Sequence, residues 1–117
     1  MVNPYDHAHQ LARSIRASEY YQALHEAKRQ VEENPTFHDM LTDLHTKQAE
    51  MEQLVLEGKE PTPEQKEALK TLGTAIQGIP ALMRYLEAEQ RFRVFLSDLQ
   101  RIIMEPVQQL LNEQKQD

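Results

Sequence analysis

Cysteine is absent from this 117-residue chain, which removes disulfides, thiol nucleophiles, cysteine-ligated zinc and all-cysteine iron–sulfur centres from what it can build alone. Glycine is scarce, with 3 residues, and these lie too far apart to cradle a phosphate. Tryptophan is missing and aromatics make up only 6%, a composition that suits helices built on Leu, Ala, Ile and Met better than a β-sandwich. Positive charge is in deficit: a net charge of −6 opposes unaided contact with nucleic-acid phosphates. Apolar runs such as Leu54-Val55-Leu56 stop at three residues, so no segment reads as membrane-spanning. The first residues, through Asn3-Pro4-Tyr5-Asp6, show neither the basic nor the apolar region of a signal peptide. These features point to a cytoplasmic protein forming one helical domain over residues 1–117.

Start and stop signals divide the chain into about five helices. Asn3 caps and Pro4 opens a segment reaching about Ala17, with Tyr5, Ala8, Leu11, Ala12 and Ile15 on its inward face. Ser18 caps a second helix over about 19–33, with Tyr20, Leu24, Ala27 and Val31 inward. Asn34-Pro35 ends that helix and starts a third, because Pro35 disfavours helical geometry before it yet fits a first turn. Phe37, Met40, Leu41, Leu44, Met51, Leu54 and Val55 share one side of this helix, and Gly58 stops it. Thr62, Pro63 and Gln65 form a capping box for a fourth helix, which presents Leu69, Leu72 and Ile76 and ends at Gly78. Pro80 opens the fifth. Pro106 is expected to kink or interrupt that helix near Ile102, and the polar tail after about residue 111 is expected to fray.

The fifth helix is the richest in apolar surface. Tyr85, Ala88, Phe92, Phe95, Leu99 and Ile102 recur at spacings of three and four, with Leu82, Leu86, Leu96 and Ile103 beside them, a wide stripe rather than a narrow seam. Pro80 to Met104 makes a rod of about 38 Å at 1.5 Å per residue. A compact domain of this size is only about 35 Å across. The fold class expected is therefore all-α: an elongated bundle of about five helices with two long antiparallel helices. A shift of 45 residues pairs Val31 with Ile76, Pro35 with Pro80, Leu41 with Leu86 and Leu54 with Leu99. Two helical hairpins of similar size need similar punctuation, and a true duplication would lead to the same architecture.

Residues that could carry chemistry do not converge. No Glu has a His three residues later, and His25-Glu26 is followed by Arg29 where a second metal-binding histidine would stand. His7 and His9 diverge by about 200° on a helix, and His38 and His45 lie about 10.5 Å apart along one. No serine occupies a Gly-x-Ser-x-Gly turn. Glu32-Glu33 and Glu50-x-Glu52 read as solvated helix faces. Arg84, Arg91, Arg93 and Arg101 could suggest a basic stripe, but Glu87–Arg91 and Glu89–Arg93 stand acid-before-base at i, i+4, the order that supports a helix. No cofactor and no metal are expected.

Several segments resemble a known family in their order and spacing. Asn3-Pro4-Tyr5-Asp6, Ala8-His9-x-Leu11-Ala12-Arg13-x-Ile15 and Ser18-Glu19-x-Tyr21 resemble the N-terminus of the YlbF/YmcA/YheA-type small helical bacterial proteins, nearest the YheA-like branch. Asn34-Pro35, Gly58-Lys59-Glu60-Pro61-Thr62, Pro80 through Phe92, Asp98-Leu99 and Ile102-Ile103 fit the same pattern. The resemblance implies a cytoplasmic all-helical protein that forms homo-oligomers. It also implies kinship with YlbF and YmcA proteins, which act in a complex influencing messenger-RNA processing, competence, sporulation and biofilm formation. Iron–sulfur clusters associated with those relatives are held by cysteines, so the cluster does not carry over to this chain.

The functional expectation is a non-enzymatic interaction module whose partner is itself, as a homodimer or higher homo-oligomer, and possible further proteins, without direct nucleic-acid or membrane contact. Phe92, Phe95, Leu99 and Ile102 are the candidate interface, followed by Met40, Leu44 and Met51; all of these could instead fill the chain's own core. An accessory factor in RNA processing or developmental regulation, acting through protein partners, is the alternative. A ligand-binding bundle would require Gln48 inside a shared core.

Overall fold

The computed structural model describes residues 3–115, and over them the chain forms five helices and no strand. They are α1 (Pro4–Ala17), α2 (Glu19–Glu32), α3 (Pro35–Leu56), α4 (Pro63–Gln77) and α5 (Pro80–Lys115). Every helix start expected from the sequence is present, and the caps show why. The Asn3 carboxamide accepts from the Tyr5 amide at 2.9 Å, and Asn34 accepts from Thr36 and Phe37 at 3.0 and 3.2 Å. The Ser18 hydroxyl accepts from the Tyr21 amide at 3.1 Å while donating to the Ile15 carbonyl at 2.6 Å. One side chain thus closes α1 and opens α2. Thr62 and Gln65 exchange bonds of 3.1 and 2.8 Å, a reciprocal capping box.

The two glycine stops differ. Gly58 sits at φ +70°, with its amide donating to Val55 at 3.1 Å and the Lys59 amide donating to Leu54 at 2.8 Å. This is a Schellman ending, which needs left-handed backbone. Gly78 is right-handed at φ −83°, and the Gly78 and Ile79 amides make tight turns back to Ala75 and Ile76. Gly78 therefore supplies no conformation that alanine lacks.

Two compact units divide the chain. The first contains α1, α2 as far as Leu24, and α5 from Ala88; the second is His25–Glu87. In the second, Val31, Leu41, Leu44, Ile76 and Leu82 form one core, with Phe37, Met40, Leu69, Leu72, Ile79, Tyr85 and Leu86 packed against it. Here α3 and α4 lie side by side. Val31 and Ile76, which correspond under the 45-residue shift, both sit in this core.

The first unit is covered far less. No residue of α1 is buried, and of its expected inward face only Leu11 and Ile15 reach half-burial; Tyr5 is 79% exposed. Ala8 and Ala12 are exposed as well. Helical periodicity marks which side of α1 is apolar, but nothing in its sequence supplies a second layer to cover that side. Tyr20 and Val55 are also exposed, contrary to their expected inward positions.

On the apolar side of α5 burial is lost toward the C-terminus, from Leu82 at 0% and Ala88 at 9% to Ile103 at 57%. From Gln100 to Glu113 every residue is exposed. The helix runs unbroken through Pro106 and on to Lys115, past the limits expected at Ile102 and at residue 111. Proline at this position removes one backbone donor and orphans the Ile102 carbonyl. Because Ile102 and its neighbours are exposed, water can satisfy that carbonyl, and the helix survives.

Two predictions test this account. Gly58→Ala should lower stability by about 1–2 kcal/mol through left-handed strain, whereas Gly78→Ala should be neutral or stabilising by about 0.5 kcal/mol, both read by denaturant midpoint. Pro106→Ala should slow amide exchange across residues 102–111 by roughly 10–100-fold, since proline inside a helix costs up to about 3 kcal/mol.

Candidate functional site

The capping serine places Tyr20 and Tyr21 at the start of α2, and α5 meets them with Phe92 and Phe95. Tyr20 stacks on Phe95 with ring centroids 4.7 Å apart and planes 21° off parallel. Tyr21 meets Phe92 edge-on at 6.2 Å, and Phe92 lies 6.1 Å from Phe95. Such offset and edge-to-face pairs each add about 0.5–1.5 kcal/mol beyond area burial. Phe92 and Phe95 are half-buried within their own unit by these contacts. Leu99 is half-buried and Ile102 lies open.

Beyond Ile102 the helix carries more apolar surface than the candidate set contains. Ile103, Met104, Val107, Leu110 and Leu111 are exposed by 43–57%. Val107, Leu110 and Leu111 escape a sequence reading that stops the helix at Pro106. Continuing the three-and-four spacing past that proline finds them.

The candidates on α3 behave differently. Leu44 is 6% exposed and belongs to the core of the second unit, and Met40 packs against that core. Neither offers much surface. Met51 is half-buried beside Lys47, Glu50, Gln65 and Ala68, which line a small cleft of about 80 Å³.

Polar groups are arranged as helix surface. Among the described residues no polar or charged side chain is buried, and no cluster of three His, Asp or Glu could hold a metal ion. Gln48 is exposed. His38 and His45 border a groove of about 160 Å³ with Lys28, Glu32 and Tyr85, and the His45 and Tyr85 rings lie 6.4 Å apart. A wider, open groove of about 900 Å³ passes Asp43, Lys47, Glu64 and Glu67. Asp43 and Lys47 pair with each other there, at 2.9 Å. A cysteine-held iron–sulfur cluster does not fit this chain, which contains no thiol.

Charges are mostly spent on their own helices. Arg93 reaches back to Glu89 at 3.3 Å, as expected, and Arg101 to Asp98 at 3.6 Å. Arg91 makes no ion pair with Glu87 within 4.0 Å among the described residues, in keeping with the few tenths of a kcal/mol that such exposed pairs are worth. Arg29 bridges Glu26 and Glu33. Hydrogen bonds from Arg29 hold the Glu26 carboxyl below its ordinary range, and bonds from Gln53 and then Lys59 do the same for Glu57. The stabilisation from both groups is present above the ordinary carboxylate pKa and is lost as pH falls through the lowered one. These shifts come from surface partners, not from the burial that tunes a catalytic acid or base.

Comparison with known proteins agrees with the helical pattern. A family model described as "Control of competence regulator ComK, YlbF/YmcA" matches residues 5–108. A UPF0342 protein of Symbiobacterium thermophilum is 41% identical over 103 residues, covering 88% of this chain and 92% of its own. A UPF0342 protein of Streptococcus sanguinis is 35% identical over 111 residues, covering 95% and 99%. Among solved structures, a protein of unknown function (DUF964) from Bacillus stearothermophilus matches with a TM-score of 0.75 and 26% identity, over 91% of this chain and 93% of that one. With nearly all of its helical length matched, the chain belongs to the YlbF/YmcA family of competence-regulator control proteins.

Proposed function

We propose that this protein is a non-enzymatic interaction module that self-associates through the C-terminal half of α5. The observation that carries the proposal is the row Ile102, Ile103, Met104, Val107, Leu110 and Leu111, all exposed on one continuous helix. Of these, Ile103, Val107, Leu110 and Leu111 fall within about 100° of one another around the helix and together present on the order of 400 Å² of apolar surface, the size of a large patch on a monomeric protein. Pairing two such patches would cover roughly 800 Å², the scale of a weak, reversible contact. The family description, control of a competence regulator, supports a regulatory role exercised through protein contacts. The net charge of −6 favours protein over nucleic acid as the partner. No helix among the described residues is long and apolar enough to cross a membrane, which agrees with action in the cytoplasm.

Sedimentation between about 1 and 100 μM should show a dimer or larger species, and a monomer across that range would refute self-association. Ile103→Glu should weaken assembly at least about tenfold while leaving the unfolding midpoint of the dilute protein within about 0.5 kcal/mol of the parent. Leu44→Ala should instead cost about 2–5 kcal/mol of stability, because it empties a core site. Equal loss of stability in both variants would mean that Ile103 belongs to the fold rather than to an interface.

A further inference from the structure

An open groove of about 900 Å³ runs between α3 and α4, within the second unit. Pro63, Ala68, Leu72 and Ala75 supply its apolar lining. Ala68, Thr71 and Ala75 lie within about 60° of one another around α4, and all three are exposed. Side chains this short leave room for a third helix to approach at the usual 8–10 Å, roughly, between axes. Asp43 and Lys47 of α3 and Glu64 and Glu67 of α4 border the groove, and the cleft that shares Lys47 and Ala68 extends it to Glu50.

Charge along this groove is one-sided. Lys47 is its only base, and Asp43 already holds that ammonium at 2.9 Å. Glu50, Glu64 and Glu67 make no ion pair within 4.0 Å among the described residues. The lysines of α4, Lys66 and Lys70, stand about 160° from Ala68 around the helix, so α4 turns its carboxylates toward the groove and its bases away. We propose that the groove docks a basic amphipathic helix of a partner protein. The helix lays its apolar face on Ala68, Leu72 and Ala75 and sets its lysines or arginines against Glu50, Glu64 and Glu67.

Both banks of the groove are helices whose backbone groups bond within themselves, so an extended peptide would find no sheet edge to join; a helix laid in a groove needs none. From Pro63 to Ala75 the α4 bank is about 18 Å long, which matches roughly three turns of a docked helix. Unpaired carboxylates on the rim draw a basic segment in and disfavour nucleic acid and acidic surfaces. The exposed end of α5 in a second copy lacks the complementary charge, since Ile102 to Leu111 carries Glu105 and no base. The groove lies apart from that segment, in the other unit, and its occupancy is independent of self-association.

The probe is a fluorescein-labelled peptide of about 14 residues with leucine on one helical face and lysine elsewhere, compared with a counterpart carrying glutamate for lysine. Anisotropy with the full-length protein should show the lysine peptide binding and the glutamate peptide not. Glu64→Lys with Glu67→Lys should weaken the lysine peptide at least about tenfold and let the glutamate peptide bind. The same charge change made outside the groove, Glu52→Lys with Glu113→Lys, should alter binding by less than about twofold. Ala75→Tyr, which fills an exposed floor position without changing charge, should also weaken binding about tenfold. Ile103→Glu should leave it unchanged. Failure of the lysine peptide to bind, equal losses from the groove and outside charge changes, full binding by Ala75→Tyr, or loss in Ile103→Glu would each overturn the proposal. Groove variants that reduce the sedimenting species would assign the groove to a second copy and overturn it as well.

Discussion

The structure depends on one apolar cluster. Val31, Leu41, Leu44, Ile76 and Leu82 come from four different helices, and their mutual burial fixes the end of α2, α3, α4 and the start of α5 as one unit. Each such side chain contributes about 1.5–3 kcal/mol when fully removed from water. Among the described residues no polar or charged side chain shares the interior, so the cluster owes nothing to buried side-chain hydrogen bonds or ion pairs. Its stability is that of shape and hydrocarbon. The consequence reaches along α5, since the first turns of that helix are anchored by Leu82 while its last four turns rely on helical hydrogen bonding.

That division explains why the same kind of residue plays two roles on one helix. Leu82 and Ile103 belong to the same stripe, yet one is fully enclosed and the other is mostly in water. Nothing in their identity differs enough to account for this. What differs is the supply of neighbours: α2, α3 and α4 all contribute to the core around Leu82, while the first unit has α1, a few residues of α2 and the rest of α5. No residue of α1 is itself buried, and the C-terminal apolar side chains of α5 remain uncovered. An isolated helix carrying that surface is marginal in water, whereas a paired one is stabilised by the same side chains.

Helix boundaries were legible because they are local. Asn3, Ser18, Asn34 and Thr62 each satisfy amides two or three residues away, and a short sequence window contains both partners. Proline at the first position of α1, α3, α4 and α5 adds a second local mark. Burial was legible only in part. Periodicity placed Val31, Leu41 and Ile76 on apolar faces and they are buried, but the same rule named Tyr5, Ala8 and Val55, which are exposed. Periodicity reports which face is apolar and is silent about whether anything covers it. The interface candidates suffered from the same ambiguity: Leu44 and Ile102 look alike in sequence, and only the packing separates core from surface.

Pro106 ties these threads together. Treated as a helix stop, it hides Val107, Leu110 and Leu111, which are exposed on the continuous helix. The proline is tolerated because the Ile102 carbonyl it orphans sits on an exposed stretch where solvent can reach it. A proline in the same register beside Leu82 would strand a carbonyl in a core that offers no polar side chain as a partner. The position is therefore permitted by the exposure of the segment around it.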